Sequence, residues 1–170
     1  GGGGAGAGGP LLAAQGTDPS RLAGAIASRL RGPPGSVAGV SAMGPQASYA
    51  AVRALAVAGE YLVRDRPDEE LAVLIEQVAD GTGQNGQQRF QTRFAAQLFP
   101  RAAAADAGGV GEEEVKVSQG TNLHSVAAFI AKRLAEGGAS PALRSMGAAA
   151  TAQALKAAAV ARGFVDADDA

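Results

Sequence analysis

The chain has 170 residues and a net charge of −1, with no Cys, no Trp and only 4% aromatics. That length suits one domain or two small ones. Zero Cys excludes disulfides, thiolate metal sites and a cysteine nucleophile, and suits an intracellular chain, cytoplasmic or organellar, rather than a secreted one. No apolar run reaches the roughly 18–20 residues of a membrane span, so no membrane partner is expected.

In chain order, Gly1 to Pro10 is a glycine-rich lead expected to be disordered. The chain opens on Gly1 rather than Met, as expected of a processed, trimmed or fragmentary start. Leu11 to Ala14 is a strand candidate. Gln15-Gly16-Thr17-Asp18 is a turn into a helix, with Thr17 or Asp18 as N-cap and Pro19 in the first turn. Leu22, Ala23, Ile26, Ala27 and Leu30 form a one-sided stripe of helical period. That predicts a helix to about Arg31, stopped by Gly32-Pro33-Pro34-Gly35. Val37 to Met43 is the next strand, and Met43-Gly44 leads into an alanine-rich helix over Pro45 to Leu62. Leu71 to about Val78 is apolar enough for a strand buried on both faces, with a helix as the alternative. Asp80 to Gln88, with Asn85-Gly86 inside it, is a long hairpin loop, and Arg89 to Phe99 the return strand. The first unit, residues 11–99, is therefore β-α-β-α-β-β.

Residues 100–113 form an alanine- and glycine-rich linker ending in Glu112 and Glu113, and the pattern then restarts. Val115 to Ser118 is a strand. Gln119-Gly120-Thr121-Asn122 repeats the Gln15 turn 104 positions on, and Val126, Ala127, Ile130, Ala131 and Leu134 repeat the helical stripe. Gly137-Gly138 ends that helix, Ala142 to Met146 is a strand, and Met146-Gly147 opens an alanine-rich helix over Ala148 to Val165. The ordered recurrence of turn, stripe, Met-Gly and alanine helix marks an internal duplication. The second unit, residues 114–165, has no counterpart of residues 71–99 before the acidic tail 166–170. Either the chain is truncated there or another source of strands completes the unit, since the remnant exposes a sheet edge.

The residues that repeat also carry a resemblance. Val115-Lys-Val-Ser118, Ser125-Val126-Ala127, Arg133-Leu134, Met146-Gly147-Ala148 and the run from Gln153 through Lys156 to Arg162-Gly163-Phe164 resemble the stage V sporulation protein S family. The first unit is similar, with Arg53 where Lys156 stands and Gly59-Glu60-Tyr61 in place of Arg162-Gly163-Phe164. The resemblance implies an α/β fold of the α+β kind: two tandem Alba-like β-α-β-α-β-β units, the second lacking its last two strands. It also implies a tendency to pair, and by analogy with Alba proteins it suggests nucleic-acid binding.

The total charge argues against a strong non-specific nucleic-acid binder. However, residues 11–101 sum to +1 and residues 110–165 to +2, because acids are concentrated in the linker and tail. Base-stacking aromatics are scarce, which leaves phosphate contacts. The expected binding residues are Lys116, Asn122, Lys132, Arg133, Gln153, Lys156 and Arg162 in the second unit, with Arg53 and Arg89 in the first. Lys156 lies one turn after Gln153, so the two share a face, which could contact phosphate or be an ordinary solvated face. The turns before the two first helices could offer N–H groups to an anion or be plain caps. Asp18 disfavours the first copy, while Lys116 and His124 flank the second. In an Alba-like protein the hairpin over Gly81 to Arg89 could reach along a nucleic-acid groove; the alternative is a flexible connection. Its glycines are not a phosphate loop, since no Gly-Lys-Ser/Thr follows.

His124 is the only histidine and has no second metal ligand at a useful spacing. Asp68 to Glu70 and Glu112 to Glu114 are expected to be solvated, and Ser118, Ser125 and Ser145 have no base partner. No enzyme activity, metal or cofactor is expected. The expected partner is nucleic acid, RNA ahead of DNA, together with self-association or docking in a larger complex. The alternative function is a structural or assembly module working through its alanine-rich helices and open sheet edge.

Overall fold

The computed structural model describes residues 9–86, 88–102, 110–137 and 140–168. The chain divides into two compact units, Gly1–Arg101 and Ala102–Ala170. The first runs β1 (Leu11–Ala13), α1 (Pro19–Leu30), β2 (Val37–Met43), α2 (Gly44–Asp65), β3 (Glu69–Thr82) and β4 (Gln88–Pro100). The second runs β5 (Val110–Val117), α3 (Leu123–Ala135), β6 (Ser140–Ser145) and α4 (Gly147–Asp168). The protein is thus a mixed α+β chain, and each unit opens with the same β-α-β-α order.

Local chemistry explains why the helices start where they do. The N–H of Ala14 donates to Thr17 Oγ1 at 2.8 Å, and that of Ser118 donates to Thr121 Oγ1 at 2.8 Å. Asp18 then caps α1 by accepting from the Ser20 N–H at 2.9 Å, and Asn122 caps α3 by accepting from the Ser125 N–H at 3.1 Å. A side-chain oxygen at this position meets one of the N–H groups that a helix start leaves open. The Met-Gly step before each alanine-rich helix is a second shared device. Gly44 has φ 85° and Gly147 φ 83°, a region where a Cβ is strongly disfavoured.

In the first unit the sheet order is β1-β2-β4-β3, with β1 parallel to β2 and the other pairs antiparallel. Both helices lie on one face. Ala23, Ala27, Ala51, Ala54 and Ala58 are fully buried there, and small side chains let α1 and α2 approach each other closely. Phe94 on β4 stands in register with Val40 and Ile75 and is 2% exposed. It is among the largest fully buried side chains, together with Ile26, Leu30, Leu62 and Val40.

The second unit has a two-stranded parallel sheet, β5-β6, under α3 and α4. Its core is Val117, Val126, Ala127, Ile130, Ala154, Ala157 and Ala161, with Val115, Leu123, Leu143 and Val160 packed against it but only partly buried. No helix among the described residues is long and apolar enough to cross a membrane.

Several boundaries differ from the sequence-based expectations. β3 is not buried on both faces: Leu71, Val73 and Ile75 are half-buried, while Ala72, Leu74 and Glu76 are exposed. A continuous apolar run is ambiguous between a buried strand and one with a single covered face. Here β3 is the margin of the sheet, and helices cover one side only. The loop expected over Asp80 to Gln88 is shorter, since the ladder continues to Thr82 paired with Gln88, past an irregularity after Ala79 that holds Gly81 at φ 73°. Gly86, the glycine of Asn85-Gly86, does turn the chain, at φ 76°. β5 begins at Val110, inside the expected linker, and α4 continues through Asp168, inside the expected tail. Gly9 and Pro10, expected to be disordered, are held in place: Arg29 Nη1 donates to the Gly9 carbonyl at 2.8 Å, and Pro10 lies against Gly39. The rest of that lead (residues 1–8), most of the linker (103–109), Gly138 and the last two residues lie outside the described residues.

Candidate nucleic-acid interface

The turn residues expected to meet a ligand are engaged inside the second unit. Asn122 is the cap of α3, as described above. Gln153 is half-buried on α4, and its Nε2 donates to the Thr121 carbonyl at 2.8 Å. That bond ties α4 to the β5–α3 turn. His124 is exposed in the first turn of α3.

The cations divide into two groups. Arg133 pairs with Glu113 at 3.0 Å, and its guanidinium carbon lies 5.1 Å from the Phe129 ring centre. Arg162 is half-buried and has an interaction of its own. Arg53, on α2 of the first unit, is exposed and stands 5.9 Å from the Tyr49 ring centre, a distance typical of a cation–π contact. By contrast, Lys116, Lys132 and Lys156 are exposed with no ion pair among the described residues. Arg89 is also exposed, on β4 where the β3–β4 ribbon continues past the end of β2, whose last partner is Gln91. Arg53 and Arg89 belong to the first unit, and the other seven expected residues to the second.

One of the expected cations has a basic neighbour that sequence reasoning missed. Lys116 on β5 is in register with Arg144 on β6. Both are exposed, and alternation along β5 points Lys116 away from the core that Val115 and Val117 face. Lys116, Ser118, Arg144, Ser145 and Met146 line a shallow depression of about 400 Å³ on this side. Arg144 also pairs with Glu114 at 3.5 Å, and with both partners about half exposed or more, such a pair is weak. Met146 is 88% exposed at the rim. Two cations, two hydroxyls and one thioether in an open depression can receive a phosphate by charge-assisted hydrogen bonds and rest an apolar group alongside. The signal for Arg144 lay in the parallel register: it occupies on β6 the position that Lys116 holds on β5.

Other chemistry has less to build on. The Ser145 hydroxyl shares a hydrogen bond with that of Thr151 at 3.0 Å, and the Ser118 hydroxyl one with Thr121 at 3.0 Å. Among the described residues no group of His, Asp and Glu could hold a metal ion, and no side-chain polar atom is buried without a partner.

A search of curated proteins gave no match. The family model for stage V sporulation protein S matches twice, over residues 11–79 and 113–170, one segment in each compact unit. With most of its length matched, and with both segments folded as β-α-β-α, the chain belongs to the stage V sporulation protein S (SpoVS) family.

Proposed function

We propose that this protein is a non-enzymatic, intracellular nucleic-acid-binding protein, with RNA ahead of duplex DNA. The observation that carries this reading is the cationic depression of the second unit, where Lys116 and Arg144 stand side by side facing solvent. Exposed Lys132 and Lys156 add charge on the helices, and Arg89 on the β3–β4 ribbon. Phosphate contacts of this kind position a ligand without reading its bases. A net charge of −1 keeps the affinity modest and strongly dependent on salt.

The test is binding of the full chain to labelled single-stranded RNA and duplex DNA across a salt series. The double variant Lys116→Ala, Arg144→Ala should lower affinity at low salt and flatten the salt slope by about 1–2. Lys156→Ala reports whether the α4 face takes part, with a slope change of about 1 if it contributes one phosphate contact. No binding at low salt sinks the proposal. A second reading, a structural module that docks in an assembly, is favoured by a different observation, the exposed Leu12 and Leu74 on the helix-free face of the first unit's sheet.

A further inference from the structure

In the first unit both helices lie on one face of the sheet, and the other face holds a depression of about 480 Å³, the size of a small-molecule cleft. Two rows of residues shape it. Leu12, Ser41, Arg93 and Glu76 are in register across β1, β2, β4 and β3, and Gly39, Ala95 and Leu74 form the next row. Pro10 closes that second row, since a Cβ placed on Gly39 would lie 3.7 Å from the Pro10 Cβ. The floor is thus made of small residues, with Pro10 and Leu12 along one side and Leu74 and Glu76 along the other.

One row is polar and the next apolar. Ser41 is only 4% exposed, and its hydroxyl makes no hydrogen bond among the described residues. No buried side-chain oxygen or nitrogen among those residues lacks a partner, so this hydroxyl is not sealed in, and its open side is the depression. Glu76 and Arg93 are exposed neighbours, yet Glu76 makes no ion pair among the described residues, and Arg93 Nε donates along its own strand to Gln91 Oε1 at 3.0 Å. A hydroxyl, a cation and an anion therefore stand in one row with hydrogen-bonding capacity to spare.

These groups select a chemistry. Arg93 and the Ser41 hydroxyl can hold a carboxylate by charge-assisted hydrogen bonds, and Glu76 can hold an ammonium. Side by side they disfavour either ion alone, because Glu76 repels a simple carboxylate or phosphate and Arg93 repels a simple amine. A zwitterion meets both. Over the apolar row, Gly39 and Ala95 leave space for one aliphatic side chain between Pro10 and Leu74. We infer that this depression binds a free α-amino acid with an aliphatic side chain. Its charges are exposed to solvent, so the affinity is millimolar rather than micromolar. The second unit shows that the fold does not impose such a surface. By strand register Lys116 stands there in place of Leu12 and Arg144 in place of Ser41, and its described sheet has no strands matching β3 and β4. The site belongs to the first unit alone, so the inference is independent of the nucleic-acid reading.

Proton–nitrogen correlation NMR spectra of the full chain, titrated with L-leucine, test it. The expected result is saturable shifts of the Gly39, Ser41 and Ala95 amides. Isocaproate, which lacks the ammonium, and isoamylamine, which lacks the carboxylate, should each bind at least about tenfold more weakly than leucine. Glu76→Gln should narrow the preference for leucine over the acid, and Arg93→Gln the preference over the amine. Gly39→Val keeps every polar group but fills the floor, and should remove the shifts at Ser41. Gly39 has no left-handed φ and the added Cβ makes only ordinary contact with Pro10, so circular dichroism and thermal unfolding of that variant should stay as in the parent chain. Absence of saturable shifts overturns the inference. So does leucine binding that Gly39→Val leaves unchanged, or binding of the acid or the amine as tight as that of leucine.

Discussion

The two units begin identically and end differently, and the difference shows what completes a core in this fold. Leu30 on α1 is 2% exposed, whereas its counterpart Leu134 on α3 is 41% exposed. Val40 on β2 is 1% exposed, and its counterpart Leu143 on β6 is only partly buried. All four side chains are apolar, and the helix and strand registers are the same. The first unit adds β4, which pairs along the whole of β2 and places Phe94 over the core, while Leu98 and Pro100 line a groove that Leu30 also lines. An apolar side chain in the right register is not yet a core residue. It becomes one when a neighbouring strand removes the last water.

The sharpest way to break this comparison is to take β4's main contribution away. Phe94→Ala should destabilise the first unit by about 3–5 kcal/mol, the range for truncating a buried Phe. Hydrogen exchange followed peptide by peptide should show lost protection confined to residues 11–101. An equal loss in β5, α3, β6 and α4 would mean the two units do not hold themselves up separately.

A smaller effect separates the helix pairs. Ala54 and Ala157 occupy equivalent, fully buried positions on α2 and α4. Ala54→Leu should overpack its helix contact by about 1–3 kcal/mol, and Ala157→Leu should fall nearer the low end because the half-open second unit can give way. Thermal unfolding of both variants checks this, and an unchanged midpoint in Ala54→Leu would show that the alanines are not there for close approach. The smallest difference should be between the caps. Asp18→Ala and Asn122→Ala should each cost about 1 kcal/mol, since one side-chain bond to a helix N–H is lost in either case. Denaturant titration that finds one cap costly and the other silent would end the equivalence of the two turns.

Much of the candidate site was only half legible. Lys116, Lys132 and Lys156 could be picked out as basic residues, but whether an acid neutralises each one depends on partners distant in sequence. Glu113 meets Arg133 across 20 positions, and Gln153 reaches the Thr121 carbonyl across 32. Arg144 went unnoticed because its neighbour Lys116 is brought beside it only by the parallel pairing of β5 with β6. On the alanine-rich helices, Ala51, Ala54, Ala58, Ala157 and Ala161 are buried within their units, while Ala56 and Ala149 face solvent, a division that composition alone does not reveal.

What the sequence determined by itself is everything set over a few residues. Thr17 and Thr121 close the turns, Asp18 and Asn122 cap the helices, and Gly44 and Gly147 take the left-handed step into the alanine helices. Each depends on bonds or torsions within about one helical turn, so spacing alone reveals it, and its recurrence reveals the duplication. Only the tertiary structure decided which face of β3 is covered, which stripe positions became core, and which cations stayed unpaired. Those outcomes depend on strands and helices that lie tens of residues apart in the chain. Local pattern carries no information about which of them will lie alongside.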